Sequence, residues 1–283
     1  MKYLTFLSKI AFIFFISFGL SVKSFAGNGV VVKTTNYLFN GSSGEKTKSG
    51  SSTMYMTSQK LMIKQEESDG KSTTIIFNST KNEMILFLNS QEYIVLDEKE
   101  MAVIKQQLAG MREMMEKMRA NMTEEQKKMM DKNFPGSGQK VTTSYEKGGS
   151  KTINGWNSSK YSALQNGTKV SELYIASYGA LGVSQSDFAV MKSMMEFFRK
   201  HLADFSNQFG MGGDASSFMA LSGDNPAFNA GVPVKITAFS AGRAISDTII
   251  DSVEKKAINE SLFTIPSHMK RKDLAQMMQG GFR

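Results

Sequence analysis

Residues 151–161 read KTINGWNSSKY, and after a polar turn the chain continues VSELYIA at residues 170–176. Both stretches mix β-branched and aromatic residues with polar ones over lengths typical of strands, which predicts a β-hairpin. The hairpin holds the only tryptophan of the chain, Trp156. It lies between two methionine-rich stretches with helical periodicity, so we expect it to be the part of a sheet that connects two helices.

The chain before the first of these helices has β character from Val30 to Leu96. Short runs of β-branched and aromatic residues are separated there by the turn sequences GSSG, SDG and STKN, which predicts an antiparallel meander. Several runs alternate imperfectly, as in TTIIF at residues 73–77, and this favours a sheet covered in part on both faces. Two further strands are predicted at residues 232–239 and 244–253.

Two helices are predicted, at about residues 98–132 and 184–209, with Ser184 or Ser186 as the N-cap of the second. In each helix the apolar residues recur at alternating spacings of three and four, which forms a heptad seam. The first seam comprises Met101, Ile104, Leu108, Met111, Met115, Met118 and Met122. The second comprises Phe188, Met191, Met195, Phe198, Leu202, Phe205 and Phe209. Equal seam lengths favour antiparallel packing of the helices on each other, and separate packing on the sheet is the alternative.

The N-terminus has the pattern of a secretory signal peptide. Two lysines precede the apolar run at residues 10–20, and Ser24 and Ala26 are the small residues of a cleavage site. The apolar run is shorter than the roughly 20 residues that a membrane span requires. We therefore predict a signal peptide at residues 1–26, cleaved after Ala26, and a soluble periplasmic or secreted protein.

Composition narrows the classes of partner. The chain has no cysteine, so disulfides and a lipidated N-terminal cysteine are excluded. Loss of the three lysines of the signal peptide lowers the formal charge from +8 to +5. This modest excess predicts no nucleic-acid partner, although it allows weak contact with an anionic membrane surface.

Sequence signatures of catalysis are weak. GKS at residues 70–72 lacks the earlier glycine of a phosphate-binding loop, and GMGGDA at residues 210–215 follows a predicted helix where a dinucleotide motif requires a strand. The two histidines, His201 and His268, have no cysteine to complete a transition-metal site, and His201 is predicted to pack beside Phe197. We predict a protein that is not an enzyme and uses no cofactor or metal.

The order of features resembles a known pattern, through the meander, the KTINGWNSSKY hairpin, GVPVK at residues 231–235 and SLFTIP at residues 261–266. It is similar to the bacterial secreted family called domain of unknown function 4412, whose layout is similar to the LolA-like outer-membrane lipoprotein carriers. A cysteine common in that family is replaced here by Tyr161. The resemblance implies an α+β fold: a strongly curved antiparallel sheet, or half-open barrel, with two long amphipathic Met/Phe-rich helices packed on or over its concave face.

The predicted organisation is a single β-rich domain at residues 27–266, with the two helices as insertions, and a basic C-terminal tail at residues 267–283. The candidate site lies where the helix seams face the sheet. Methionine is flexible and polarizable, so it suits either a helical core or an adaptable wall for apolar ligands, and both interpretations stay open. The candidate ligand-binding residues are Met111, Met115, Met118, Met191, Met195, Phe198, Phe205 and Trp156. The strand residues expected to face them are Ile75, Phe77, Ile85, Phe87, Ile94 and Leu96.

These features predict a periplasmic binding or carrier protein for an apolar ligand, such as a lipid, an acyl chain or a lipid-modified protein. The alternative is a structural or interaction protein of the cell envelope that uses the paired helices to dock a partner protein. The carrier is expected to hold its ligand between the helices and the sheet. The interaction protein is expected to have a filled core and an exposed helix seam.

Overall fold

A computed structural model describes the protein over residues 29–40, 44–127, 142–208, 230–274 and 277. The predicted signal peptide and its cleavage site at Ala26 lie outside these ranges.

The strands form one twelve-stranded sheet. Their bounds are β1 (Gly29–Phe39), β2 (Lys46–Met56), β3 (Lys60–Glu67), β4 (Ser72–Asn78), β5 (Glu83–Phe87), β6 (Glu92–Leu96), β7 (Thr143–Ile153), β8 (Trp156–Gln165), β9 (Thr168–Ala176), β10 (Val232–Ser240), β11 (Arg243–Lys256) and β12 (Lys270–Arg271). The order across the sheet is β12-β6-β5-β4-β3-β2-β1-β11-β10-β9-β8-β7. Neighbours are antiparallel except β12, which runs parallel to β6. The predicted meander from Val30 to Leu96 is confirmed, and within the described residues the sheet is open, with β12 and β7 at its ends.

The predicted hairpin is instead part of a three-stranded unit. The NG of KTINGWNSSKY forms the turn between β7 and β8, so the quoted stretch belongs to two strands. Asn154 and Gly155 have φ angles of 45° and 84°, the left-handed conformation that a two-residue hairpin turn with Asn-Gly requires. A second Asn-Gly pair, Asn166 and Gly167, joins β8 to β9 in the same way.

The first helix, α1 (Glu98–Ala120), is shorter than predicted. Asp97 caps its start by accepting a hydrogen bond from the Glu100 amide at 2.9 Å. After Asn121 the chain starts a new turn, because Thr123 and Gln126 bond reciprocally to each other's backbone amides. The TEEQ sequence at residues 123–126 thus forms a capping box that begins a new helical turn, and residues 128–132 lie outside the described ranges.

The second helix, α2 (Ala189–Gln208), follows a single 3₁₀ turn at Gln185–Phe188. Ser184 caps this turn in a reciprocal capping box with Asp187, which confirms the predicted start. Lys255 of β11 contacts the Asp187 carboxylate at 2.7 Å, so the helix entry is tied to the sheet. The predicted last seam residue, Phe209, lies outside the described residues.

Both faces of the sheet carry buried apolar residues, as the imperfect alternation predicted. The larger set, the main core, joins one face to α2 and the start of α1. The smaller set, the outer cluster, comprises Val31, Met62, Ile76, Ile85, Val95, Ile258 and Phe263. Its last two members come from the segment after β11, which therefore covers this part of the opposite face.

Two strand residues predicted to face the helices lie on the opposite face. Ile85 belongs to the outer cluster and Phe87 packs against it, whereas Met84 and Leu86 belong to the main core. Successive side chains of a strand point to opposite faces of the sheet. An error of one residue in the predicted orientation of β5 therefore places all of its side chains on the wrong face. Ile75, Phe77, Ile94 and Leu96 lie in the main core as predicted.

Strand β11 carries a buried carboxylate that contacts side chains of β2 and β10. Asp247 of β11 is 1% exposed and accepts hydrogen bonds from Thr237 at 2.6 Å and Lys46 at 2.9 Å. Lys235 contacts the same carboxylate at 3.0 Å. Burial alone would raise the pKa of Asp247, but these donors outweigh it and hold the pKa below its ordinary value.

We expect Asp247→Asn to lower the free energy of unfolding at neutral pH by roughly 1–3 kcal/mol, because the ammonium groups of Lys46 and Lys235 lose their anionic partner. Since the folded-state pKa is depressed, the contribution is present above the unfolded value of about 3.9 and is lost as the pH falls through the folded value. Urea titrations between pH 3 and pH 7 should therefore give a smaller loss at the acidic end. Asp251→Asn, at an exposed carboxylate bonded to Thr35, is the control, and an equal loss there would contradict the account.

Candidate functional site

The candidate site is the interface between α2 and the main-core face of the sheet. The side of α2 that faces the strands is methionine- and phenylalanine-rich, and its buried residues are Val190, Met191, Met194, Met195, Phe197 and Phe198. The facing strands contribute further flexible side chains, Met54, Met56 and Met84. This interface is therefore apolar on both sides and rich in unbranched thioethers, which adapt easily to a change of neighbour.

Aromatic contacts join α2 to the sheet. The ring of Phe197 lies 5.8 Å from that of Phe77 on β4, at an interplanar angle of 57°. It also packs edge-on against Phe198 at 5.8 Å. Such tilted pairs add to the free energy of burying the rings themselves.

The structure brings together half of the candidate ligand-binding residues. Met191, Met195 and Phe198 are buried in the main core, and Trp156, at the start of β8, is partly buried against it. Met118 is 49% exposed and does not belong to this interface. The side chains of Met111, Met115 and Phe205 lie outside the described part of the protein.

The predicted pairing of the two seams along their full length is wrong at its far end. Met101 and Ile104, near the start of α1, are buried in the main core. Beyond residue 108 nearly every described side chain of α1 is exposed, including Met114 at 56%. Among the described side chains of α1, burial in the main core is therefore confined to its first turns.

Polar contacts join the start of α1 to α2 at the protein surface. Lys200 of α2 pairs with Glu98, and the Lys105 ammonium donates to the Lys200 carbonyl oxygen at 3.1 Å. Both of the described contacts are solvent-exposed. Exposed ion pairs contribute little to stability, so this connection between the helices is weak.

His201 lies beneath these contacts and is 7% exposed. Its ring centroid is 4.8 Å from that of Phe197, which confirms its predicted packing role. Burial lowers the pKa of His201, and the ammonium groups of Lys105 and Lys200 lower it further, while Glu98 opposes them. The imidazole is therefore neutral at neutral pH, and it adds no charge to the apolar interface.

The chemistry available at this interface is apolar contact. Within the described ranges, no three His, Cys, Asp or Glu side chains lie close enough together to hold a metal ion. Among the described helices, none has the length and apolar composition that a membrane span requires. We call α2 together with residues 98–105 of α1 the helix layer.

No family model matches the chain, and no curated protein matches it. The resemblance to domain of unknown function 4412 therefore stays a prediction. Among solved structures, an uncharacterised conserved protein from Thermus thermophilus aligns over 87% of this chain and 91% of its own, with 7% identity and a TM-score of 0.41. MucB aligns over 85% of this chain and 58% of its own, with 8% identity and a TM-score of 0.36. A LolA superfamily protein from Nitrosomonas europaea aligns over 85% of this chain and 92% of its own, with 7% identity and a TM-score of 0.30. Similarities of this size do not establish a shared fold or function.

Proposed function

We propose that the protein is a non-enzymatic binding or carrier protein of the periplasm, which holds an apolar ligand between the helix layer and a curved, half-open sheet. The ligand is an acyl chain, carried by a lipid or by a lipid-modified protein. The observation that carries the proposal is the composition of the main core, in which methionine and phenylalanine of α2 share one buried cluster with methionines of β2 and β5.

Two properties of this interface support ligand exchange. Methionine has three rotatable bonds and no branch, so its side chain can turn from a helix neighbour to an acyl chain at low cost. The described polar contacts between α1 and α2 are exposed and weak, so each helix of the layer can move on the sheet with little resistance from the other. The helix layer can then act as a lid that belongs to the core when closed and forms a ligand wall when open.

The apolar walls also favour one ligand class. A wall of methionine, phenylalanine and isoleucine rewards buried apolar area, at roughly 25 cal/mol per Å² before ordering costs. It offers few groups that would recognise the hydroxyls of a sugar or the charges of a nucleotide. An acyl chain matches it best.

We expect affinity for fatty acids to rise with chain length and to change little with added salt, because binding requires no ion pair. Each added methylene is expected to contribute up to about 0.8 kcal/mol until the site is filled. The measurement is displacement of a fluorescent fatty-acid probe by acids of increasing length. Absence of saturable probe binding, or affinity independent of chain length, would contradict the proposal.

A second candidate function rests on the exposed half of α1. Met114 and Met118 are one helical turn apart and both about half exposed, next to the Glu113–Lys117 ion pair at 2.6 Å. An apolar pair on an otherwise charged helix suits a protein partner in the cell envelope. Loss of partner capture on Met114→Lys/Met118→Lys, with fatty-acid affinity unchanged, would favour this function over the carrier.

A further inference from the structure

The C-terminal strap, residues 268–274, covers one end of the sheet. Its β12 residues run parallel to β6 in a sheet whose other described neighbours are antiparallel. The Lys270 amide donates to the Gln91 carbonyl oxygen at 2.7 Å, and the Lys272 amide donates to that of Tyr93 at 2.8 Å. The strap thus occupies the backbone groups of β6 on the side away from β5, with a ladder only two residues long.

Side chains give the strap its specificity. Arg271 contacts the Glu100 carboxylate at 3.2 Å, and Lys272 contacts Glu92 at 2.8 Å. Leu274 is 7% exposed and enters the main core. The surface that receives the strap therefore combines the edge of β6, the carboxylates of Glu92 and Glu100, and an apolar position filled by Leu274. These features are typical of sites that bind an extended peptide as an additional strand.

The contacts of the strap are those of a reversible complex. The side chains of Arg271 and Lys272 are 47% and 46% exposed, so their ion pairs are screened by water. A two-residue ladder adds few hydrogen bonds, and Leu274 is the one buried apolar side chain among residues 268–274. Local opening of such a segment costs much less than global unfolding.

We propose that the β6 edge is a peptide-binding site, occupied here by the chain's own strap, for an extended segment of a partner protein. The partner segment carries two adjacent basic residues and an apolar residue three positions after the first of them, as Arg271, Lys272 and Leu274 do. The occupant follows from charge complementarity with Glu92 and Glu100 and from the parallel register of β12. The site adjoins the acyl-chain interface, because Glu100 belongs to the helix layer and Leu274 to the main core.

The test uses the full chain with Arg271→Glu/Lys272→Glu, which places like charges opposite Glu100 and Glu92 and releases the strap. A fluorescent peptide of residues 266–274, PSHMKRKDL, is titrated by anisotropy. We expect saturable binding to this variant, about tenfold or more tighter than to the unsubstituted protein, where the strap competes. The matched control is Lys64→Glu/Lys256→Glu, at exposed lysines paired with Glu66 and Glu254, which should bind the peptide as weakly as the unsubstituted protein.

Three results would overturn the proposal. The first is no saturable peptide binding to the strap variant while its far-ultraviolet circular dichroism matches that of the unsubstituted protein. The second is equal binding of a peptide with glutamate at both basic positions. The third is a concentration-dependent dimer of the strap variant, because a second copy would then be the occupant.

Hydrogen exchange on the unsubstituted protein is a second test, which does not depend on whether the strap variant folds. The amides of Lys270 and Lys272 should exchange about tenfold or more faster than the amides of the central strands β1 and β11, as expected for a segment that opens locally. Exchange as slow as in the central strands would mean that the strap does not leave the edge, and the proposal would fail.

Discussion

Replacing Phe198 with glutamate is expected to lower fatty-acid affinity by about tenfold or more, because the charge enters an apolar wall at a cost of several kcal/mol. Phe198 is 3% exposed and packs within the main core, so the charge has no water nearby while the helix layer is closed. We therefore expect the helix layer to separate from the sheet, so that the apolar surface that binds the ligand is no longer continuous. The measurement is displacement of the fluorescent fatty-acid probe, with circular dichroism recorded on the same samples.

The sheet should remain folded in this variant, since β1–β6 also pack on their opposite face through the outer cluster. Met118→Glu, at an exposed seam position of α1, is the matched control and should keep the affinity of the unsubstituted protein. Loss of all cooperative β structure in Phe198→Glu would show that the helix layer is an indispensable core and cannot act as a lid.

Phe77→Ala should give the largest loss of stability, about 3–5 kcal/mol in the free energy of unfolding. Phe77 is fully buried on β4, and its ring meets that of Phe197 on α2, so truncation removes contacts from both layers at once. Urea denaturation measures the loss. Phe87→Ala, a partly buried ring on the opposite face of β5, is the control and should cost clearly less. Equal losses would mean that the main core does not dominate stability.

Local signals in the sequence predicted much of the sheet. The strands from Val30 to Leu96 and the two strands at the C-terminal side were found because β-branched runs alternate with turn residues. The start of α2 was predicted because Ser184 or Ser186 is a suitable N-cap, and in the structure Ser184 forms a capping box with Asp187. Two further local signals were overlooked. One is the hairpin turn at Asn154-Gly155 within the quoted stretch, and the other is the capping box from Thr123 to Gln126 after α1.

The remaining errors concern relations between elements, which local patterns do not determine. In EMILF of β5, both alternate sets are apolar, so the sequence does not indicate which set faces the helices. The periodicity of α1 predicts which methionines share a stripe, but whether another element covers that stripe depends on where the helix leaves the sheet. Met101 and Met118 therefore share a seam and differ in exposure, 1% against 49%.

The C-terminal strap illustrates the same limit. The sequence predicts a basic tail at these positions, and the three basic residues of the strap are exposed. Its place beside β6 depends on partners far away in sequence, Glu92 and Glu100, and on a free strand edge. Nothing within residues 267–274 indicates these partners.

The central claim is that an acyl chain binds between the helix layer and the sheet. The most direct measurement is photo-crosslinking with a diazirine-bearing fatty acid, followed by peptide mapping. The account predicts labelling of α2 around Met191, Met195 and Phe198 and of the facing strands β2 and β5, and a saturating amount of unlabelled fatty acid should suppress it. Labelling confined to the exposed residues Met114 and Met118, or labelling that competitor does not suppress, would contradict it.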